Sequence, residues 1–226
     1  MSKINVIASP IGNLKDITHR AIEELTNADF IICEDTRVTG KLLKHYGIKN
    51  ELVVLNARNE ERRIETILHK LESGQTGALV SDAGTPCISD PGERLVNKVI
   101  AEGFEVTGVP GANAAIFALS ISGMPSESFI FEGFLPNKKG RQKKLKLLAE
   151  EERTIIFYES MYRIEKLLNE LSEYMPQRYT AVFRELTKMF EERWEGYPKD
   201  ILENLNSKVI KGEFVVIISP PDWKRT

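Results

Sequence analysis

Short runs of apolar, mostly β-branched residues alternate with stretches of helical periodicity along the first half of the chain. The clearest helical stretch is Glu60–Glu72, in which residues such as Ile64 and Leu71 share one apolar face. Because strand–helix–strand alternation requires crossover connections, the pattern predicts a doubly wound α/β domain with a mainly parallel sheet. The predicted strands of this half are Ile4–Ser9, Phe30–Cys33, Leu52–Leu55, Ala78–Ser81 and Glu105–Val109.

The pattern changes near Gly123–Ser126, which marks the predicted domain boundary. A helix is expected from Arg163, and a short one over Lys199–Asn206 is the main helical stretch between the last strands. So few crossovers predict a mixed sheet, and hence two α/β domains, 1–123 and 124–226. The predicted strands of the second domain are Phe129–Glu132, Thr154–Tyr158, Tyr179–Arg184, Met189–Gly196 and Glu213–Ser219.

Composition and charge narrow the function. With 226 residues, a formal charge of −2 and a pI near 6.0, any nucleic-acid contact must come from a local basic patch. Cys33 and Cys87 are too few for a disulfide scaffold, and the histidines show no metal-ligand spacing, so no metal is expected. No apolar stretch reaches the ~18 residues of a membrane span and no signal peptide is evident, which predicts a cytoplasmic protein away from membranes.

Three loops at the predicted carboxyl ends of strands, where open α/β sheets bind ligands, are candidate binding segments. Ser9–Leu14 lacks the G-x-G-x-x-G spacing, which disfavours a dinucleotide site and leaves open a plain turn before a helix. Ser81–Gly92 contains two glycines, two prolines and two aspartates, and such a rigid backbone can approach a ligand closely. The small residues of Val109–Ala115 leave room for an adenosyl group, or else serve close helix–sheet packing.

Two further loops carry charged candidates. Glu34-Asp35-Thr36-Arg37 places two carboxylates where they can hold a substrate or take a proton, although Thr36 can equally be a helix N-cap. Asn56–Arg63 is typical of a solvated helix start, but its predicted position beside Glu34–Arg37 makes it a second candidate.

A basic segment enters the second domain, with six positive charges in nine residues. It is either a solvated helix face or a phosphate-binding surface that supplies salt-dependent affinity without sequence choice. Its cations are Lys138, Lys139, Arg141, Lys143, Lys144 and Lys146.

Six motifs in order resemble those of the bacterial small-subunit ribosomal RNA (cytidine-2′-O)-methyltransferases, which belong to the tetrapyrrole methylase superfamily. The resemblance covers nearly the whole chain. It rests on Ser9–Leu14 (SPIGNL), Glu34–Arg37 (EDTR), Ser81–Pro86 (SDAGTP), Phe131–Pro136 (FEGFLP), Phe157–Ser160 (FYES) and Arg184–Lys188 (RELTK).

This resemblance implies a homodimer that methylates the ribose 2′-hydroxyl of a cytidine in small-subunit (16S) ribosomal RNA. It also implies that S-adenosylmethionine binds in a cleft between the two domains. The residues it assigns to the cofactor are Pro10, Asp82, Gly84, Thr85, Ile88, Pro110, Gly111, Ala112 and Asn113 from the first domain and Tyr158 and Glu213 from the second.

The chain departs from the family pattern at three places. Arg58 stands where members commonly have histidine, Ala112-Asn113 where they often have Pro-Ser, and Met161-Tyr162 where Pro-His is usual. The last change argues against a histidine as the catalytic base.

A ribose hydroxyl is a poor nucleophile unless a general base accepts its proton. With histidine disfavoured, the candidates are Glu34, Asp35 and Glu60, and we hypothesise that Glu34 or Glu60 is the base. Arg37 and Arg58 are candidates to hold flanking phosphates or to keep these carboxylates ionised.

Two alternatives remain. A tetrapyrrole C-methyltransferase also needs arginines for a carboxylate-rich substrate, but such enzymes usually carry a Gly-Ala-Gly-Pro-Gly type loop after the first strand, which is absent here. A ribosome-binding factor that keeps the fold without the activity is disfavoured by the intact cofactor-like loops, and failure to bind S-adenosylmethionine would support it.

Overall fold

The computed structural model describes residues 2–56, 59–205 and 211–225 and divides into two compact units, Met1–Asn113 and Ala114–Thr226. Both units are α/β, as predicted. The predicted boundary at Gly123 lies at the far end of helix α5 (Ala114–Ser122), which packs on strands of the second unit. No helix in the described ranges is both long enough and apolar enough to cross a bilayer.

The first unit contains a parallel sheet in the order β3-β2-β4-β1-β5. Its two faces carry separate cores: Ile32 packs with residues of α3 (Glu60–Glu72) and α4 (Glu93–Ala101), whereas Ile31 packs with residues of α1 (His19–Asn27) and α2 (Thr36–His45). The doubly wound, parallel prediction is therefore confirmed. The strands are β1 (Lys3–Ile7), β2 (Phe30–Cys33), β3 (Glu51–Val54), β4 (Gly77–Leu79) and β5 (Glu105–Val109).

The second unit contains a mixed sheet in the order β6-β7-β10-β8-β9, in which only β6 and β7 are paired in parallel. The mixed-sheet prediction is confirmed. The strands are β6 (Phe129–Phe134), β7 (Thr154–Ser160), β8 (Thr180–Arg184), β9 (Glu192–Gly196) and β10 (Glu213–Ile218), and the further helices are α6 (Arg141–Ala149), α7 (Ile164–Tyr174) and α8 (Pro198–Leu205).

Two boundaries in this unit differ from the prediction. The strand predicted from Met189 begins only at Glu192, because Met189 and Phe190 lie in the turn after β8, where they are 90% and 66% exposed. Helix α8 begins one residue earlier than predicted, and Asn206 lies outside the described residues.

The carboxyl ends of β6, β7 and β8 lie at one edge of the second sheet, since β10 is antiparallel to both β7 and β8. The register places Phe134 opposite Tyr158 and Ser160 opposite Glu213. This edge therefore gathers the ends of three of the motifs that carry the family resemblance.

Candidate active site

Three loops at the carboxyl edge of the first sheet are joined by hydrogen bonds. Ser9, after β1, and Gly84, after β4, exchange backbone N–H···O bonds of 2.8 and 3.1 Å. The Thr85 hydroxyl donates to the carbonyl of Ala112, after β5, at 3.1 Å. The structure thus brings together the segments that the resemblance assigns to the cofactor in this unit.

At two positions of these loops, a side chain in place of glycine would crowd a neighbouring side chain. A Cβ on Gly84, whose φ is +80°, would lie 3.3 Å from Ile11 Cγ2. A Cβ on Gly111 would lie 2.9 Å from the Cβ of Ala8. The glycines therefore form a tight cradle, and the lack of a side chain at Gly111 allows close packing against Ala8, which follows β1.

Three observations fit this cradle to an adenosyl ligand. The hydroxyl of Ser9 is buried and has no hydrogen-bond partner among the described residues, so it is available to a polar ligand group. Ile88 is 42% exposed and Pro110 is also exposed, which offers apolar surface to a flat ring. Within the same loop Cys87 and Ser89 adopt left-handed backbone conformations (φ +69° and +63°), and such strain is common at ligand-binding segments.

Three carboxyl groups lie beside the cradle, at the ends of β2 and β4. The backbone N–H of Asp35 donates to Oδ1 of Asp82 at 3.3 Å. Burial raises the pKa of the Glu34 carboxyl, and the nearby charges of Asp82 and Asp35 raise it further. Burial also raises the pKa of Asp82. Glu34 and Asp82 are therefore better proton acceptors than ordinary surface carboxylates.

Asp35 has a structural role. Its Oδ1 accepts hydrogen bonds from the backbone N of Arg37 at 2.8 Å and from Arg37 Nε at 3.0 Å, which makes Asp35 the N-cap of α2. Thr36, the alternative cap, is instead the first helical residue. Hydrogen bonds from Arg37 lower the pKa of Asp35 to about 2, so Asp35 is a poor general base at neutral pH.

The third candidate base, Glu60, is the first residue of α3, with a side chain that is 11% exposed and lies 3.8 Å from Arg94 Nε. Burial raises the pKa of the Cys87 thiol, and Asp90, Glu93 and Glu60 add to this effect, which places Glu60 near the loop after β4. No hydrogen bond joins Glu60 to Glu34 within the part of the chain that the structure describes. Arg58 lies outside the described residues.

In the second unit, Tyr158 and Glu213 both have partners. The Tyr158 hydroxyl accepts a hydrogen bond from the backbone N of Ala115, at the start of α5, at 3.1 Å. The Glu213 side chain is 77% exposed and pairs with Lys188 Nζ at 2.7 Å. Lys188 also pairs with Glu185 at 3.0 Å, so the RELTK motif is held to the first residue of β10.

The basic segment divides into exposed and buried cations. Lys138, Lys139, Lys143 and Lys146 are exposed, and no ion pair holds any of them among the described residues. Lys144 is half-buried and pairs with Glu132 at 2.9 Å.

The assignment of Arg141 to RNA needs correction. Arg141 is only 2% exposed, and its Nε donates to both carboxylate oxygens of Glu170 at 2.8 and 2.9 Å. A guanidinium enclosed in this way cannot reach a phosphate.

Glu159 was not among the site residues predicted from the sequence. This carboxylate is buried and accepts a hydrogen bond from Arg163 Nε at 2.7 Å, while Arg141 Nη2 lies 3.8 Å away on another side. Two signals were available. Arg141 shares a helix face with the buried Leu145 and Leu148, and Glu159 continues the inward-facing alternation of β7.

Comparisons with known proteins agree with this architecture. The family model of tetrapyrrole (corrin/porphyrin) methylases matches residues 3–201. The ribosomal RNA small subunit methyltransferase I of Thermotoga maritima is 43% identical over 219 residues, covering 97% of this chain and 99% of that protein. The protein of the same name from Haemophilus influenzae is 45% identical, covering 94% of this chain and 77% of that protein.

Solved structures share the fold at low identity. The methyltransferase CobJ matches with a TM-score of 0.75 at 20% identity, covering 100% of this chain and 97% of that chain. A cobalt precorrin-4 methyltransferase matches with a TM-score of 0.73 at 18% identity, covering 96% and 94%. The chain therefore belongs to the tetrapyrrole methylase family and, within it, to the ribosomal RNA small subunit methyltransferases I, a group of S-adenosylmethionine-dependent enzymes.

Proposed function

We propose that the protein methylates the ribose 2′-hydroxyl of a cytidine in small-subunit ribosomal RNA. The observation that carries the proposal is the cradle formed by Ser9, Gly84 and Thr85, in which the loop after β4 also carries Asp82. Asp82 accepts a hydrogen bond from the backbone of Asp35, and its charge helps to raise the pKa of Glu34. A cofactor-binding loop cluster and a proton acceptor are the minimum that methyl transfer to a hydroxyl requires. The names of relatives that are 43–47% identical indicate the RNA of the small subunit as the acceptor.

S-adenosylmethionine, when bound, supplies a methyl group attached to a sulfonium sulfur. In the proposal, the Ser9 hydroxyl and the backbone of the Asp82–Ile88 segment hold its polar groups, and Ile88 and Pro110 pack against its adenine ring. The turn at Gly111–Asn113 keeps the cradle narrow, because it packs directly on Ala8. Positioning of this kind supplies much of the acceleration of an in-line displacement.

Glu34 is proposed to accept the proton of the 2′-hydroxyl. Its raised pKa lies nearer to neutral pH than that of Asp35, which favours proton transfer in the reaction. The Glu34 side chain is half-buried, so the proton can pass to solvent after the transfer. Arg37, whose side chain is 85% exposed, is proposed to hold a phosphate next to the target nucleotide.

The second unit is proposed to complete the cofactor cleft through Tyr158 and the Glu213 strand, and to contact RNA through the exposed lysines of the basic segment. We also propose that the protein acts as a homodimer in the cytoplasm, where the small subunit is found. Sedimentation velocity at several protein concentrations tests the dimer.

The decisive experiment is transfer of labelled methyl from S-adenosylmethionine to small ribosomal subunits that lack the modification, followed by alkaline digestion. Label in one alkali-resistant dinucleotide establishes 2′-O-methylation, and free ribosomal RNA is tested in parallel. Calorimetry with S-adenosylmethionine alone separates binding from transfer. Bound cofactor without label in either RNA substrate would overturn the proposal in favour of a small-molecule acceptor, and absence of cofactor binding would favour a ribosome-binding factor.

A further inference from the structure

Exposed aromatic rings and lysines lie together at one edge of the second unit. Phe134, the last residue of β6, is 52% exposed, and Tyr162, in the turn after β7, is 84% exposed. Lys138 and Lys139 follow Phe134 in the same connection and are also exposed. Because β6 and β7 are parallel, both connections leave the sheet at the same edge. We call these four residues the aromatic–basic edge.

Arg163 ties the two connections together. Its Nη1 donates to the carbonyl of Leu135 at 3.2 Å and to Asn137, and its guanidinium lies 5.9 Å from the centre of the Phe134 ring. The buried carboxylate of Glu159 holds Arg163 Nε at 2.7 Å. The turn that carries Tyr162 is thus fixed to the segment that carries Phe134, so the exposed rings are presented on a rigid support.

The chemistry of this edge fits unpaired nucleotides. Within the described ranges, no carboxylate pairs with Lys138 or Lys139, so both remain free to contact phosphates. Exposed aromatic rings stack on bases that are not already stacked in a duplex, and lysines beside them follow the backbone. An A-form duplex presents phosphates and sugar hydroxyls but no free base faces. It can therefore contact the lysines of this edge but cannot stack on its aromatic rings.

We propose that the aromatic–basic edge binds the single-stranded RNA next to the methylated nucleotide, with Phe134 and Tyr162 stacking on bases. The proposal rests on the proposed function. The Phe134 ring lies 5.7 Å from that of Tyr158, the residue assigned to the cofactor side of the second unit. A nucleotide drawn out for methylation leaves its neighbours without a stacking partner, and the two exposed rings replace the lost stacking.

Fluorescence anisotropy with a labelled single-stranded RNA of about 12 nucleotides, and with the same strand in a duplex, tests this proposal. Phe134→Ala and Tyr162→Ala should each weaken single-strand binding by roughly 5- to 100-fold and leave duplex binding nearly unchanged. Phe134→Tyr and Tyr162→Phe keep the rings and should bind like the wild type. Tyr197→Ala is the matched control, because Tyr197 is 41% exposed and follows β9, at the opposite edge of the sheet.

Unchanged single-strand affinity in both alanine variants would overturn the proposal, as would equal losses for single strand and duplex. A loss of dimer with unchanged RNA affinity would assign the edge to a protein interface instead. Methyl transfer to small subunits by the wild type is measured alongside. If the wild type transfers methyl but the rings contribute nothing to binding, the proposed function stands and the aromatic–basic edge is not an RNA-binding surface. If binding depends on the rings but no methyl is transferred, the edge binds RNA and the proposed function is wrong.

Discussion

The backbone N–H of Asp35 donates to Oδ1 of Asp82 at 3.3 Å, which joins the start of α2 to the loop after β4. Glu34 precedes Asp35 at the carboxyl edge of the parallel sheet, where burial, and then the charges of Asp82 and Asp35, raise the pKa of its carboxyl. The Asp35 carboxylate caps α2 and pairs with Arg37, whereas Glu34 is the better proton acceptor. The arrangement gives adjacent residues different roles, and these can be separated by mutation.

Glu34→Gln should lower kcat for methyl transfer by about 10²- to 10⁴-fold, because the amide cannot accept the hydroxyl proton. The affinity for S-adenosylmethionine, measured by calorimetry, should change little. Asp35→Asn keeps a capping side chain and should lower kcat far less. Glu60→Gln tests the second candidate base. If this variant loses activity while Glu34→Gln stays fully active, Glu60 at the start of α3 is the base.

The pH dependence of kcat/KM should show an acid limb that belongs to Glu34. Because burial and neighbouring carboxylates raise the pKa of Glu34, the side chain becomes protonated at a higher pH than an ordinary glutamate. Activity should therefore fall as the pH decreases through this raised pKa, and residual activity of Glu34→Gln should lack that limb. An acid limb near pH 2, where Asp35 titrates, would point to Asp35 instead.

Gly111→Ala should weaken S-adenosylmethionine binding by roughly tenfold or more, because small displacements of a binding loop are costly. The new Cβ would lie 2.9 Å from the Cβ of Ala8 and force the turn away from β1. The double variant Ala8→Gly/Gly111→Ala removes the clash and should recover most of the affinity. Gly108→Ala is the control, since its Cβ meets no atom closer than 3.8 Å. If Gly111→Ala binds the cofactor normally, the cradle is assigned incorrectly.

Lys143 and Lys146 lie three residues apart on α6 and are exposed, so they can contact the same RNA backbone. Replacing both by serine should reduce the slope of log affinity against log salt by about 0.7 for each lysine that contacts a single-strand phosphate. Lys199→Ser/Lys224→Ser removes the same charge elsewhere in the second unit and should leave the slope unchanged. Equal slopes in the two double variants would make the patch a solvated helix face.

The periodicity of apolar residues was sufficient to predict the architecture of both units. Alternating strands and helices predicted the parallel sheet, and the carboxyl ends of those strands brought the segments at Ser9, Gly84 and Ala112 together as sheet topology requires. Hydrogen bonding between side chains was not accessible in this way. Whether Asp35 or Thr36 caps α2 depends on a rotamer, and the raised pKa of Glu34 depends on burial that only the tertiary structure defines.

The basic segment shows a second limit of prediction from sequence patterns. Within a run of like charges, a residue that faces inward is easily taken for an exposed one. Arg141 is buried against Glu170 and Glu159, and among the described cations removing it would leave Glu170 with only Lys166, at 3.9 Å, and Glu159 with only Arg163. Arg141→Met should therefore lower the free energy of unfolding by about 3–5 kcal/mol.

The neighbouring Lys143→Met, at an exposed position of α6, should change the free energy of unfolding by no more than about 0.5 kcal/mol. Denaturant unfolding of both variants, with Arg141→Met/Glu170→Leu as the paired replacement, measures these differences. Partial recovery in the double variant is expected, since two apolar side chains replace an ion pair without leaving a charge unpaired. If Arg141→Met unfolds like the wild type while lowering RNA affinity, Arg141 belongs with the exposed lysines after all.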